Sequence, residues 1–210
     1  MTQNAKLRRK GRSTHNIESL TQISIDLFMN RGYDATSVEE IAKAAGITKS
    51  AIYYHVANKE ELLRRAISNA VGKLFEILEE PAAKEGTPLT RLEYIFRRLV
   101  EVEFDHLKEI ALLLRVRGGS KTERWALEKR REFDRHVQKL IVLAQDAGEI
   151  RDDLDALAID RLVFGMLTWI PEWYYIGHRI PPGVLVDAAL ALIFEGIRQP
   201  DAANGRSSAN

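Results

Sequence analysis

A chain of 210 residues with 45% apolar content suffices for one large or two small domains around a sizeable core, which excludes a disordered or fibrous protein. Its 31 basic and 30 acidic side chains leave a net charge of +1, so a uniformly basic coat is excluded while local patches are not. Cysteine is absent, and with it disulfides, thiolate zinc sites, iron–sulfur clusters and cysteine nucleophiles. No run of about 18 uncharged apolar residues spans a bilayer, and the polar, basic Met1–His15 lacks the apolar core of a secretion signal. The expectation is a soluble cytoplasmic protein with no membrane partner.

Charge is uneven along the chain: residues 1–65 hold 11 Lys and Arg against 7 Asp and Glu, leaving 20 against 23 for the remainder. Apolar residues recur at three- and four-residue steps and no strand pattern appears, which predicts an all-α protein. Residues 1–13 are expected to be a disordered basic arm. Ile17, Leu20, Leu27 and Phe28 mark one face of a first helix ending at Gly32, followed by the tight connection Gly32-Tyr33-Asp34-Ala35. Val38, Ile41, Ala42 and Ala45 mark a second helix behind Thr36 and Ser37, whose hydroxyls suit a cap that Glu39 or Glu40 closes. Gly46 breaks it. Thr48 caps a very short third helix, and Asn58 with Glu61 forms a capping box for a long fourth helix over 59–79. Pro81 to Pro88 reads as a linker, and amphipathic segments follow around 89–104, 107–115, 123–147, 155–175 and 182–197. The domains expected are a compact three-helix unit over 14–60 and a larger helical unit over 61–198, with a disordered tail over 199–210.

Two short helices joined by Ala45-Gly46-Ile47 make a helix-turn-helix pattern, with the second helix offered outward. Ala51, Ile52 and Val56 pack inward, leaving Lys49, Ser50, Tyr53, Tyr54 and His55 to face out. Two adjacent tyrosines and a lysine on a surface turn call for a partner. A DNA duplex supplies one, since Lys neutralises phosphate or reaches guanine, hydroxyls bond phosphate oxygens, and tyrosine rings pack on sugars or thymine methyls. The starts of helices attract phosphate, which adds Thr36, Ser37 and Lys59 as candidate backbone grips. For His55 the alternative is a turn cap. Lys6 to Arg12 places five cations in seven residues; such an arm either enters a neighbouring minor groove or is simply solvated.

The stretch from Thr36 to Val56, Thr-Ser-Val-Glu-Glu-Ile-Ala-Lys-Ala-Ala-Gly-Ile-Thr-Lys-Ser-Ala-Ile-Tyr-Tyr-His-Val, followed by Asn58-Lys59-Glu60-Glu61-Leu62, resembles the signature of the TetR family of bacterial transcriptional regulators. The resemblance covers roughly residues 14–63. It departs at Ser50 or Ala51, where the family usually has glycine, and at Val56, where it has phenylalanine. By that resemblance Thr36, Thr48, Lys49, Ser50, Tyr53, Tyr54, His55 and Lys59 match DNA-contacting positions. It also implies a homodimer whose two heads meet successive major grooves of a palindromic operator, usually repressing transcription, and a carboxy-terminal domain that takes a small effector. The helix over 59–79, running from the reading head into that domain, is the expected coupling element.

Segments 155–175 and 182–197 are apolar around too much of their circumference to face solvent on one side. One side serves the domain core and the other a partner subunit, so homodimerisation through these two helices is expected. Trp169 and Trp173 lie four apart, with Phe104 and Phe164 as candidate neighbours; these four either form ordinary aromatic core or, as the family resemblance suggests, line the effector cavity. The run Thr168 to Tyr175 with Pro181-Pro182-Gly183 is similar to members that sense acyl-CoA thioesters. Arg115, Arg117 and Arg124 around Gly118-Gly119 are then candidates for coenzyme A phosphates, or a solvated basic loop.

An enzymatic reading rests on Glu103-Phe104-Asp105-His106, which has the Glu-x-x-His spacing of di-metal bundles. A di-iron site needs two such motifs and two further carboxylates, and only this one is found. No phosphate loop, nucleophile elbow or acid/base pair appears, so no catalytic residue, metal or cofactor is assigned. The competing readings are a constitutive DNA-binding protein without effector and, more remotely, a helical metalloenzyme.

Overall fold

The computed structural model describes residues 16–174 and 180–198, without the side chains of 171–173. The basic arm, the tail over 199–210 and the side chain of Trp173 therefore lie outside the described residues. Within them every regular element is a helix, and the chain divides into two compact units that meet between Leu63 and Arg64.

The first unit holds α1 (Ile17–Arg31), α2 (Val38–Ala45), α3 (Lys49–His55) and the start of α4 (Lys59–Glu79). Asn16 caps α1 by accepting from the Ser19 N–H at 2.9 Å. Gly32 stops it at φ 87°, with its N–H on the Phe28 carbonyl. Of the two candidate caps on α2, Ser37 takes the role and Glu40 closes the box: the Glu40 N–H donates to the Ser37 hydroxyl while the Ser37 N–H donates to the Glu40 carboxylate at 2.8 Å. Gly46 ends α2 at φ 67°, ψ 27°, a left-handed geometry that suits glycine and directs the chain straight into α3. Thr48 caps α3. At α4 the Asn58 side chain accepts from the Glu61 N–H, but the Glu61 carboxylate reaches back to Ala57, one residue beyond the reciprocal box expected. Leu20, Ile25, Phe28, Ile41, Ile52, Val56 and Leu62 are buried. Lys59 fixes the turn before α2: its ammonium donates to the carbonyls of Tyr33 (2.7 Å) and Thr36 (2.8 Å) and lies 4.2 Å from the Tyr33 ring centre.

The second unit contains the rest of α4, α5 (Pro81–Lys84), α6 (Pro88–Asp105), α7 (Leu107–Arg115), α8 (Lys121–Asp146), α9 (Ala156–Tyr174) and α10 (Pro182–Ile197). The stretch read as a linker is thus partly helical: Pro81, preset at the first helical position, starts the single turn α5 before the chain leaves through Gly86 at φ 90°. Helix α8 begins two residues earlier than expected because Ser120 and Glu123 form a capping box. A chain of edge-on rings ties the unit together, Phe75 to Phe133 (6.0 Å), Phe133 to Phe164 (6.1 Å) and Phe164 to Phe96 (6.2 Å), and Phe96 meets Phe194 at 5.9 Å. The rings join α4, α8, α9, α6 and α10, and two of them, Phe133 and Phe164, line the space described next. No described helix is long and apolar enough to cross a membrane.

Candidate functional site

Helix α3 presents the first candidate site. Ile52 and Val56 anchor it inward, and Thr48, Lys49, Ser50, Tyr53 and Tyr54 are exposed, with His55 half-buried. Tyr54 is 88% exposed, which leaves the largest side chain of the helix almost wholly in solvent. It meets the His55 ring edge-on at 5.5 Å. Lys49 is ion-paired with Glu39 of α2, which holds the ammonium pKa above and the carboxylate pKa below their ordinary values, and lies 5.9 Å from the Tyr53 ring. Arg31 forms an ion pair with Glu40, tying α1 to α2.

Two expectations for this surface change. Thr36 is 1% exposed, and its hydroxyl donates to the Gly32 carbonyl at 2.8 Å while its N–H donates to Tyr33. It holds the turn from inside and offers no hydroxyl to a phosphate. Ser37 and Lys59 are half-buried. The Ser37 hydroxyl both accepts from and donates to Glu40, and two of the three Lys59 donors go to the turn, so both residues first serve the architecture of the unit.

The second candidate site is a cavity of about 210 Å³ inside the second unit. Leu74 of α4, Leu99 of α6, Ile110, Leu113 and Leu114 of α7, Phe133 of α8 and Phe164 of α9 make its apolar wall. Glu103, Arg130, Asp134, Arg161 and Thr168 supply its polar atoms. Thr168 is self-satisfied, donating to the Phe164 carbonyl, and Arg161, on the exposed side, donates to Asp134 at 3.3 Å. Burial raises the Asp134 carboxyl and lowers the Arg130 guanidinium relative to their ordinary values. Glu103 differs from all of these: it is 1% exposed, its Oε2 has no hydrogen-bond partner, and burial alone pushes its carboxyl well above the usual carboxylate range. Asp160 on α9 is also 1% exposed with an unpartnered Oδ1, and burial, reinforced by the nearby Asp134, pushes it up to about 6.

Of the residues expected to line the cavity, Phe164 does so. Phe104 is half-buried and packs edge-on against Tyr174 at 4.7 Å, apart from the cavity wall. Trp169 points the other way: it is 63% exposed and shares the outer face of α9 with Leu162 (73%) and Met166 (43%), at steps of four and three residues. Val184 and Leu192 of α10 are similarly exposed. Trp169 belongs to an uncovered apolar face. In the glycine loop, Arg124 donates to the carbonyls of Gly118 and Gly119 and closes the loop rather than extending from it. Among the described residues no three His, Asp or Glu come together as a metal site.

The sequence allows Glu103 to be a metal ligand or part of a charged outer helix face; it is neither, since it is 1% exposed and joins no group of metal-ligating side chains among the described residues. It stands four residues after Leu99 and seven after Phe96, on the buried stripe of its helix, where an acid has no ordinary place. Arg130, Asp134 and Arg161 gave no such signal, since each also fits a solvated helix face.

Residues 22–66 match the domain described as "Bacterial regulatory proteins, tetR family", and residues 85–197 match "Tetracyclin repressor-like, C-terminal domain". The chain is similar to the crystal structure of a TetR transcriptional regulator family member from Streptomyces coelicolor A3, with a TM-score of 0.80, 48% identity and coverage of 85% of this chain and 90% of the other. The fold of AibR, crystallised with isovaleryl coenzyme A and operator DNA, is matched with a TM-score of 0.75 at 22% identity over 86% of this chain and 98% of AibR. The HTH-type transcriptional repressor KstR2 of Mycobacterium tuberculosis is 26% identical over 182 residues, 85% of this chain and 90% of its own length.

Proposed function

This chain belongs to the TetR family of bacterial regulatory proteins, a family of transcriptional regulators and not of enzymes, and on that premise we propose that it is a cytoplasmic, effector-released repressor. In this reading two copies of α3 enter successive major grooves of a palindromic operator, about 34 Å apart. Lys49 meets phosphate or guanine, Thr48 and Ser50 bond phosphate oxygens, and Tyr53, Tyr54 and His55 pack on the backbone and base edges. Ser37 and Lys59 lend their remaining hydrogen-bonding capacity to the backbone. The observation that carries the reading is Tyr54, 88% exposed beside Lys49 and Ser50 on a helix whose other face is fully anchored. Homodimerisation is supported by the uncovered face of Leu162, Met166, Trp169, Val184 and Leu192, because an apolar surface of that kind is normally covered.

The effector occupies the 210 Å³ cavity, whose wall includes Leu74 of α4. Since α4 also begins beside the turn held by Lys59, a ligand that binds one arrangement of α4 better than another shifts the population of the DNA-competent state. An acyl-CoA thioester is the effector class supported by the ligand named for AibR. An apolar cavity of about 150 Å³ admits benzene, so the space here suits a short or branched acyl group rather than a long chain. Fluorescence anisotropy with a palindromic operator fragment selected from the genome tests the reading: specific binding as a dimer that is reversed by a C2–C6 acyl-CoA supports it. Absence of specific binding refutes the repressor, and calorimetry showing no heat with any thioester discards that effector class.

A further inference from the structure

The cavity contains one group that its architecture does not use. Every other polar side chain in its wall has a partner or a counter-charge: Thr168 bonds Phe164, Arg161 bonds Asp134, and Arg130 lies within the field of Asp134. Glu103 is 1% exposed, its Oε2 is unpartnered, and it sits between Leu99 and the leucines of α7. A polar atom buried without a partner costs roughly 1 to 3 kcal/mol, and the same position filled by leucine or methionine would have avoided it.

We propose that Glu103 selects the effector by hydrogen-bonding an acceptor oxygen, a carbonyl or ether, on the compact and otherwise apolar group that the effector seats in this cavity. The proposal rests on the effector reading above and names the ligand chemistry of that same site. Three features favour an acceptor over a cation. No positive charge faces Glu103 closely enough to shift its carboxyl, which burial holds in the neutral acid form, and a neutral acid is a donor. Arg130 and Arg161 also line the cavity, so an incoming ammonium would meet two like charges. The wall around Glu103 is leucine, isoleucine and phenylalanine, which rewards an apolar body. A thioester carbonyl is one such oxygen, and so is that of a small ketone or ester.

Three probes of nearly one shape separate the possibilities: acetophenone, ethylbenzene and 1-phenylethylammonium, which present an acceptor oxygen, no polar atom and a cation. Binding of each to the full-length protein is measured by calorimetry and thermal shift, for the wild type, Glu103→Gln and Glu103→Leu. The expected result is at least a tenfold preference for acetophenone over ethylbenzene in the wild type. The preference is kept in Glu103→Gln, whose amide still donates, and lost in Glu103→Leu, which binds ethylbenzene at least as well. A wild type that prefers the ammonium, or a Glu103→Leu variant that keeps the ketone preference, overturns the assignment while leaving the cavity as the effector site. Failure of ethylbenzene and acetophenone alike to bind wild type and Glu103→Leu overturns the cavity reading and this assignment with it. If Glu103→Leu does not fold, the wild-type ranking with Glu103→Gln still decides between donor and ion pair.

Discussion

An unpartnered acid in the core makes stability depend on pH in a direction opposite to that of most carboxylates, and Glu103→Gln isolates the effect. In the unfolded chain Glu103 releases its proton near pH 4.5; in the folded protein burial raises that value well above the usual range. A raised folded-state pKa means that the full stability is present below pH 4.5 and is lost as pH climbs toward the folded value. Within that window the loss approaches about 1.4 kcal/mol per pH unit. Glutamine keeps the shape and one donor but cannot ionise, so the variant is expected to match the wild type near pH 4 and to gain about 1 kcal/mol on it between pH 5 and 6. For a chain of this length that is a rise in relative Tm of roughly 2 to 4 °C. Urea melts of both proteins at matched protomer concentration, read as the difference at each pH, cancel the groups they share, including Asp160 and Asp134. Parallel pH profiles, or a variant less stable than the wild type at pH 6, would refute the claim that Glu103 is neutral and unpartnered.

Removing the tip of the reading head should leave the fold intact and weaken the operator complex: Tyr54→Ala and Lys49→Ala are each expected to cost roughly 1 to 3 kcal/mol in specific binding, with circular dichroism melts unchanged, as anisotropy and melting together would establish. Glu39→Gln releases Lys49 from its exposed ion pair and removes a negative charge beside the DNA-facing surface, so operator affinity should rise at low salt, and the gain should shrink as salt is added; a fall would place Glu39 in a role not seen here. Leu162→Glu, on the uncovered face of α9, should turn dimer into folded monomer in sedimentation velocity and abolish tight operator binding. Lys59→Met loses two hydrogen bonds to the Tyr33–Thr36 turn and is expected to destabilise by about 1 to 3 kcal/mol. The salt slope of DNA binding separates the roles: a slope reduced by about 1 marks a phosphate contact, and an unchanged slope marks a residue whose work is internal.

The helices of this protein were legible because their signals are local. Gly32 and Gly46 announce stops that need a left-handed backbone, Ser37 and Thr48 announce starts, and the periodicity between them fixes the buried face; the Ser120 cap, which starts α8 two residues early, is missed by that reading. The outward set on α3 follows from the same arithmetic, since anchoring Ile52 and Val56 leaves Tyr53 and Tyr54 outside. What remained hidden depended on tertiary geometry. Thr36 lies at a helix start as a phosphate grip should, but the turn curls its hydroxyl back onto Gly32. Trp169 and Phe164 belong to one apolar helix, and periodicity alone does not say which of its two covered faces meets the cavity and which the solvent-exposed patch. A charged residue on an apolar stripe is the one long-range clue that was present, at Glu103.

The proposed release through α4 requires a ligand whose binding energy can move a two-state population. Lys59, the first residue of α4, holds the Tyr33–Thr36 turn, and Leu74, fifteen residues on in the same helix, forms part of the cavity wall. Moving a two-state population from 1:99 to 99:1 requires about 5.5 kcal/mol of differential affinity. A compact ligand of roughly nine heavy atoms, with a ceiling of about 1.5 kcal/mol per atom, has enough binding energy to supply that difference even when most of it is common to both states.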